Sequence, residues 1–215
     1  MEKFLPVPLP LGEDAFSPYL NKESITYHYH AVYLPAVNRL NVFCDGIQGS
    51  CRLEELIKSN KLPKYCRAEI LKEAKNTLCH QYYFSSLSSS LNGFFIPTGI
   101  LSNEINKAFG SWHGLLHAVF DLSKNMEMPG FLWLLADRFS GKVKLLKTYG
   151  HELPNGSFHV LFCLDLWEHA WLFQYPNNPL TYVEAFFHIL NMKRISKEYE
   201  KLYARNRKRN QREKG

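Results

Sequence analysis

The run Asp165-Leu166-Trp167-Glu168-His169-Ala170-Trp171 carries the densest set of chemically capable side chains in the sequence. It places an aspartate and an imidazole four residues apart, with a second carboxylate beside the imidazole. Asp and His both bind first-row metals, and the flanking Trp residues would exclude water and shift the potential of a bound ion. The alternative is an amphipathic turn whose Asp165 and His169 hydrogen-bond each other. The run alone favours that turn.

Two histidines elsewhere in the chain change this balance. His28 and His80 lie on separate predicted helices, far from Asp165 and His169 in sequence. Three imidazoles and one carboxylate drawn from both halves would form a mixed nitrogen and oxygen site, which suits iron or manganese. The sequence therefore predicts a metal centre made from His28, His80, Asp165 and His169.

The elements that must position these residues follow from apolar spacing. Residues 1–20 indicate an extended, proline-punctuated arm. Asn21 can cap a helix that continues to about residue 41, and Pro35 should kink it because proline removes a donor and clashes one turn back. A loop with a short helical piece is expected over 42–63, and a second long helix over 64–86.

The second half changes character after the Ser/Gly/Pro-rich stretch Ser85–Gly99. Two helices are expected first, over 100–109 and 111–125. Three strands follow, over 131–137, 142–149 and 158–166. Two more helices are expected over 181–191 and 196–209. The predicted fold class is α+β. The N-terminal half is expected to be all-helical and to form a long helical hairpin. It is followed by an α/β C-terminal half with a three-stranded antiparallel sheet. The expected domains are 1–90, the helical hairpin, and 91–215, the α+β part with a basic tail.

Composition bounds the class of protein. The 215 residues are 46% hydrophobic and 14% aromatic, which is typical of a globular chain with a real core. No apolar stretch is long enough to cross a bilayer, so no membrane partner is expected. The five cysteines are odd in number, scattered and without a CxxC pair. That pattern favours free thiols in a reducing compartment, intracellular and either cytoplasmic or mitochondrial.

Positive charge is concentrated at the C-terminal end. Residues 193–215 hold ten Lys/Arg against three Asp/Glu, whereas the rest of the chain holds sixteen against seventeen. The net charge of +6 is therefore a property of this tail. It is either a solvated helix end or an arm that contacts phosphate, such as RNA.

Several motifs spread along the chain resemble the iron/manganese superoxide dismutases. The most specific is Asp-x-Trp-Glu-His-Ala at 165–170. The others are Leu9-Pro10, Phe16-Ser17-Pro18-Tyr19-Leu20, Val37-Asn38-Arg39-Leu40-Asn41, Pro97-Thr98-Gly99, Phe109-Gly110-Ser111, Pro129-Gly130-Phe131-Leu132-Trp133-Leu134 and Tyr182-Val183-Glu184-Ala185-Phe186. The resemblance covers nearly the whole chain.

This resemblance implies a function and roles for the residues. His28, His80, Asp165 and His169 would hold one Fe or Mn ion per subunit, which converts superoxide anion to O₂ and H₂O₂. Glu168 resembles the carboxylate that reaches the partner's ligand histidine, which implies a homodimer. The glutamine that usually hydrogen-bonds the metal-bound solvent aligns either near Asn76 or at His151, and His151 could replace it.

The chain departs from the family's usual pattern around the ligands. Ala36 occupies the position where the family usually has its gateway tyrosine. Val32 occupies the position of the family's bridging histidine. Trp171 occupies the position of the tyrosine that pairs with that histidine across the dimer. The stretch usually carrying an anion-guiding arginine reads Tyr175-Pro176-Asn177-Asn178-Pro179. Loss of that cation should lower the capture rate of a charged substrate. Phe84 and Phe131 stand at tryptophan positions and should keep the site apolar.

The remaining histidines receive other interpretations. His113 and His117 are four apart, a spacing that could bind zinc, but they fall where the family has exposed polar residues. His30 and His188 are expected to be structural.

Two functions of different classes follow. The first is a metal-dependent superoxide dismutase, an oxidoreductase that retains all four ligands despite the altered surroundings. The alternative is a catalytically impaired structural subunit with the dismutase fold, in a mitochondrial ribosome or another RNA-containing assembly. The basic tail and the missing arginine motivate this alternative.

Overall fold

The N-terminal half is helical, as predicted, in a computed structural model that describes residues 3–9, 12–46, 52–89, 95–124 and 129–212. Its helices are α1 (Lys22–Thr26), a π-helical segment (Tyr27–Tyr33), α2 (Leu34–Phe43), α3 (Leu53–Lys58) and α4 (Arg67–Ser86). The side chain of Asn21 accepts from the backbone N–H of Ser24, 2.8 Å away, and so caps α1 as expected. Helices α2 and α4 pack against each other as the two arms of the hairpin.

The expected irregularity near Pro35 takes the form of the π-helical segment. The Leu34 N–H bonds the Tyr29 carbonyl, five residues back, instead of a carbonyl four residues back. Pro35 then lies in the first turn of α2, where a missing N–H costs least. The wider π turns change the direction in which side chains of this segment point.

The C-terminal half follows the predicted order of helices and strands. The helices are α5 (Gly99–Phe109), α6 (Trp112–Ser123), α7 (Glu168–Trp171), α8 (Pro179–His188) and α9 (Met192–Arg212), and the strands are β1 (Gly130–Asp137), β2 (Val143–Tyr149) and β3 (Phe158–Asp165). The sheet is antiparallel with order β2-β1-β3. Its central strand is buried from Gly130 to Ala136, so both faces of the sheet are covered at this strand. The structure confirms the α+β fold class.

Two local expectations were wrong or incomplete. The arm over 1–20 is not wholly extended, because Glu13–Phe16 form a 3-10 helix that buries Phe16. Helix α7 was not expected, since four residues are too few for an apolar period to show. Position 125, the end of one predicted helix, lies outside the described residues.

The division into domains 1–90 and 91–215 stays a prediction. Its boundary stretch includes residues 90–94, which lie outside the described residues. Just before them, Leu87 bridges to Leu190, and the Ser88 N–H bonds the Ile189 carbonyl at 2.7 Å. The end of α4 is thus tied to the chain that enters α9. No helix in the described residues is both long enough and apolar enough to span a bilayer.

Candidate metal centre

The four predicted side chains converge on one point from four different elements. His28 comes from the π-helical segment, His80 from α4, Asp165 from the last residue of β3 and His169 from α7. One nitrogen or oxygen atom from each lies within 4.8 Å of all the others. The side chains of His28, His80 and Asp165 are at most 2% exposed, while that of His169 is 18% exposed. The cluster therefore opens toward solvent past His169.

A backbone contact sets the orientation of His80. Its Nδ1 lies 2.9 Å from the Asn76 carbonyl oxygen, one turn earlier on α4, and donates to it. Burial lowers the pKa of His80 to about 3, so the ring is neutral and Nε2 carries a lone pair. That Nε2 lies 3.4 Å from His169 Nε2 and 3.6 Å from Asp165 Oδ2. The lone pair thus faces into the cluster, as it must in a metal ligand.

Asp165 is held by the chain that follows it. The Trp167 N–H donates to Oδ1 at 2.8 Å, which leaves Oδ2 to face the imidazoles. Oδ2 lies 3.2 Å from Nε2 of both His28 and His169. Burial by itself raises the pKa of Asp165, but His169 and His28 outweigh it and hold the pKa well below its usual range. The carboxylate is therefore charged at neutral pH.

His28 provides the test of whether a cation fits. Its Nε2 is buried and, within the described residues, has no hydrogen-bond partner of acceptable geometry, although Asp165 Oδ2 is 3.2 Å away. Burial lowers the pKa of His28 to about 4, so the ring does not become charged to pair with Asp165. A buried nitrogen without a partner is costly in a protein interior. A cation between these atoms would satisfy the His28 and His80 lone pairs and the Asp165 charge together.

Aromatic rings enclose the cluster. Tyr83 stacks on His28 with ring centroids 4.8 Å apart, and Phe84 lies 5.0 Å from the same ring. Phe131 lies 5.8 Å from His80, and Trp167 lies 6.0 Å from His169. Phe84 and Phe131 therefore keep the site apolar, as expected. The rings exclude water, which strengthens electrostatic interactions inside.

Sequence reasoning missed two tyrosines of this enclosure. Tyr83 lies three residues after His80 on α4, a spacing that puts both on one helix face and could have flagged it. Its hydroxyl accepts a hydrogen bond from Tyr182 at 3.4 Å inside the core. Tyr33 stacks over His80 at 5.9 Å, and its hydroxyl accepts from the Val7 N–H. Tyr33 had no such signal, because its position depends on the π-helical turns.

His151 and Asn76, the two alternatives for the residue beside the site, both lie near His80. The His151 ring stacks on Trp167 at 5.0 Å and lies 6.2 Å from His80 between centroids. Burial lowers the pKa of His151. Asn76 is buried, and its Oδ1 has no hydrogen-bond partner among the described residues.

Glu168 is placed at the surface beside the cluster. It is the exposed first residue of α7, directly before His169. Two apolar residues on the next turn, Leu172 and Phe173, are also exposed, and Phe173 contacts Tyr27 with ring centroids 4.6 Å apart. Tyr27 precedes the cluster residue His28. An apolar patch made of Tyr27, Leu172 and Phe173 therefore borders the open side of the site.

The residues that depart from the family pattern and the other histidines lie at both buried and exposed positions. Ala36 is fully buried on α2, whereas Val32 and Trp171 are half-buried. His113 and His117 are exposed on α6, in agreement with the surface interpretation. His30 lies 2.8 Å from Glu13, and His188 stacks on Tyr19 at 4.3 Å, so both have structural contacts.

Comparison with known proteins agrees with this geometry. A family model described as iron/manganese superoxide dismutases, C-terminal domain, matches residues 97–198. The chain is 32% identical over 185 residues to a protein named superoxide dismutase [Fe] from Legionella pneumophila, covering 85% of this chain and 92% of that relative. It is 27% identical to superoxide dismutase [Fe] from Babesia bovis, with 89% and 94% covered.

A manganese relative is similar at lower identity. Superoxide dismutase [Mn] 1 from Leptolyngbya boryana is 24% identical over 200 residues, covering 89% of this chain and 79% of the relative. The matches extend over most of the chain and carry both metal names. Together with the fold and the four converging side chains, they establish that the chain belongs to the iron/manganese superoxide dismutase family.

Proposed function

We propose that this protein is a superoxide dismutase that binds one iron or manganese ion through His28, His80, Asp165 and His169. It converts two superoxide anions and two protons to O₂ and H₂O₂. The observation that carries the proposal is the convergence of three imidazoles and one carboxylate, in which the buried His28 Nε2 has, among the described residues, no hydrogen-bond partner, with the Asp165 carboxylate nearby. Within the described residues this is the only group of three or more such side chains close enough to hold an ion.

The metal supplies the chemistry of accepting one electron and donating it again. The protein residues bind, orient and shield. Asp165 contributes only one negative charge, so His28, His80, Asp165 and His169 would leave a bound divalent or trivalent ion with a net positive charge that favours approach of the superoxide anion. The aromatic enclosure keeps that charge poorly screened. The partly exposed side chain of His169 marks the side from which a small anion would enter.

We further propose that His151 holds a proton beside the site. Its ring is neutral, because burial lowers its pKa, and it is oriented by stacking on Trp167. Replacement His151→Ala should lower turnover by roughly 10- to 100-fold while the metal content stays the same. His151→Gln should recover most of the activity, since an amide can also donate a hydrogen bond there. Metal analysis and a pH profile of turnover on both variants check this; equal turnover in His151→Ala and the unchanged protein would contradict it.

A homodimer is proposed as the working assembly. The exposed apolar patch of Tyr27, Leu172 and Phe173 borders the site and lies beside Glu168, whose side chain is exposed and so could reach a second copy. We expect Phe173→Glu to shift the protein toward monomer, because a charge would be buried in the interface. Tyr65→Glu is the matched control, since Tyr65 is 88% exposed on the connection before α4. Sedimentation velocity measures both variants; an unchanged dimer in Phe173→Glu contradicts this placement of the interface.

The dismutase proposal is tested by superoxide consumption at known metal content. Purified protein loaded with iron or manganese should consume superoxide in proportion to bound metal, and protein stripped by a chelator should not. Metal-loaded protein without turnover would refute the enzyme and favour the structural alternative in an RNA-containing assembly. That alternative stays a prediction, and the relatives named above are dismutases. The compartment, cytoplasmic or mitochondrial, also remains a proposal.

A further inference from the structure

Helix α9 presents a row of cations to solvent that the metal centre does not use. Its members are Lys193, Lys197, Lys201, Arg205 and Lys208, and all five are exposed. They follow one another at intervals of four or three residues, which places them on one side of a helix. We call these five residues the basic stripe.

The opposite face of α9 holds the helix in place. Ile195, Tyr199 and Leu202 are buried in the core on that side. The Tyr199 hydroxyl donates to the Gly141 carbonyl at 2.7 Å, and the Arg209 guanidinium lies 4.7 Å from the centre of the Phe139 ring. The basic stripe is therefore carried by a rigid support, so binding through it loses little conformational entropy.

Among the described residues, no acidic side chain neutralises the charges of the basic stripe. In the described part of the chain none of its five residues forms an ion pair. Of the two acids on α9 within that part, Glu198 pairs with Arg194 at 2.8 Å and Glu200 lies at the edge of the stripe without a bond to it. A row of uncompensated cations on one face produces a positive potential along its whole length.

We propose that the basic stripe binds the phosphate backbone of a nucleic acid duplex. From Lys193 to Lys208 the helix rises by about 22 Å, and a duplex of that length carries about 13 phosphate charges. Four of the five cations are lysines, which act as point charges on phosphate and do not read base edges. Binding is therefore independent of base sequence.

Two other polyanionic surfaces fit the stripe less well. Single strands are usually held by aromatic side chains on which bases stack, and the stripe contains none. A helix that lies on a membrane inserts its apolar face, but the apolar face of α9 is already buried in the core. Three of the five cations also lie beyond residue 198, where the family match ends. The proposal is thus independent of the dismutase function.

The test compares two triple variants of the full-length protein. Lys201→Gln/Arg205→Gln/Lys208→Gln removes three charges from the stripe, and Lys3→Gln/Lys61→Gln/Lys64→Gln removes three exposed charges elsewhere. Fluorescence anisotropy with labelled duplex RNA and duplex DNA of random sequence is measured at several salt concentrations. The stripe variant should bind roughly 10- to 100-fold more weakly at about 0.1 M salt, with a salt slope reduced by about 3, and the control should bind like the unchanged protein.

Three results would overturn the proposal. These are equal duplex affinity in the stripe variant and the unchanged protein, no salt-dependent binding to either duplex, and binding to phosphatidylserine vesicles in preference to duplex. Binding to RNA alone, to DNA alone or to both supports it, and the two probes identify the source of the phosphate. Equal melting temperatures of the two variants establish that a loss of binding is not a loss of fold.

Discussion

Replacing Asp165 by Asn should empty the metal centre without unfolding the protein. The amide keeps the shape of the side chain, and its oxygen can still accept from the Trp167 N–H. The only negative charge among the four ligand candidates is lost, however, and an amide is a poor ligand beside three imidazoles. Metal content should fall from one ion per chain to a small fraction of that. Superoxide consumption should fall by at least about 100-fold, a larger loss than the loss expected when a residue that only orients a ligand is replaced.

The matched control uses the pair of histidines that lies outside the cluster. His113→Gln/His117→Gln removes two exposed imidazoles at a helical spacing that could bind a metal. This variant should keep its metal content and its activity. If Asp165→Asn retains bound iron or manganese after dialysis, or if the control loses it, the assignment of the centre is wrong.

Acid should destabilise the metal-free protein strongly below pH 6.5. Burial lowers the pKa of His28 to about 4 and that of His80 to about 3, whereas both residues have a pKa near 6.5 when unfolded. Below pH 6.5 the unfolded chain therefore binds protons that the folded chain cannot, and stability falls as the pH falls toward 4 and 3. His28 alone corresponds to about 3 kcal/mol over this window.

Asp165 acts in the same direction at lower pH. Its pKa is held below the unfolded value near 3.9. The stability it contributes is therefore present above that value and is lost as the pH falls further. Bound metal needs neutral imidazoles, so acid should also release the ion.

The measurement is the free energy of unfolding of the chelator-treated protein at several pH values between 7 and 4. It should decrease steeply with falling pH in the unchanged protein and in His113→Gln/His117→Gln, whose histidines are exposed. In His28→Gln the slope should be smaller, because one buried imidazole is gone. A free energy that stays constant across this range would contradict the burial of neutral imidazoles in the cluster.

Much of the candidate site could be predicted from residue types, because two of its four metal-ligand candidates lie close together in the sequence. Asp165 and His169 lie four apart within one run, and His28 and His80 lie on helices whose apolar spacing is clear. The three strands were predicted within one residue at each end, since the buried run of β1 and the turn after it are strong signals.

The features that were not predicted depend on backbone hydrogen bonding and on a very short helix, and neither leaves a periodic apolar pattern in the sequence. His28 and Tyr33 both lie in the π-helical segment Tyr27–Tyr33, which ends with an i−5 hydrogen bond, and Tyr33 stacks over His80. Apolar spacing cannot distinguish such a segment from an α-helix. The short helix α7 also escaped prediction, since its four residues, Glu168–Trp171, are too few to show an apolar period.

The most direct test is an anomalous diffraction experiment on crystals of the metal-loaded protein at the iron and manganese absorption edges. The structure predicts a single strong peak per chain between the Nε2 atoms of His28, His80 and His169 and Oδ2 of Asp165. No peak at that point, or the main peak beside His113 and His117, would contradict the metal centre and the function proposed from it.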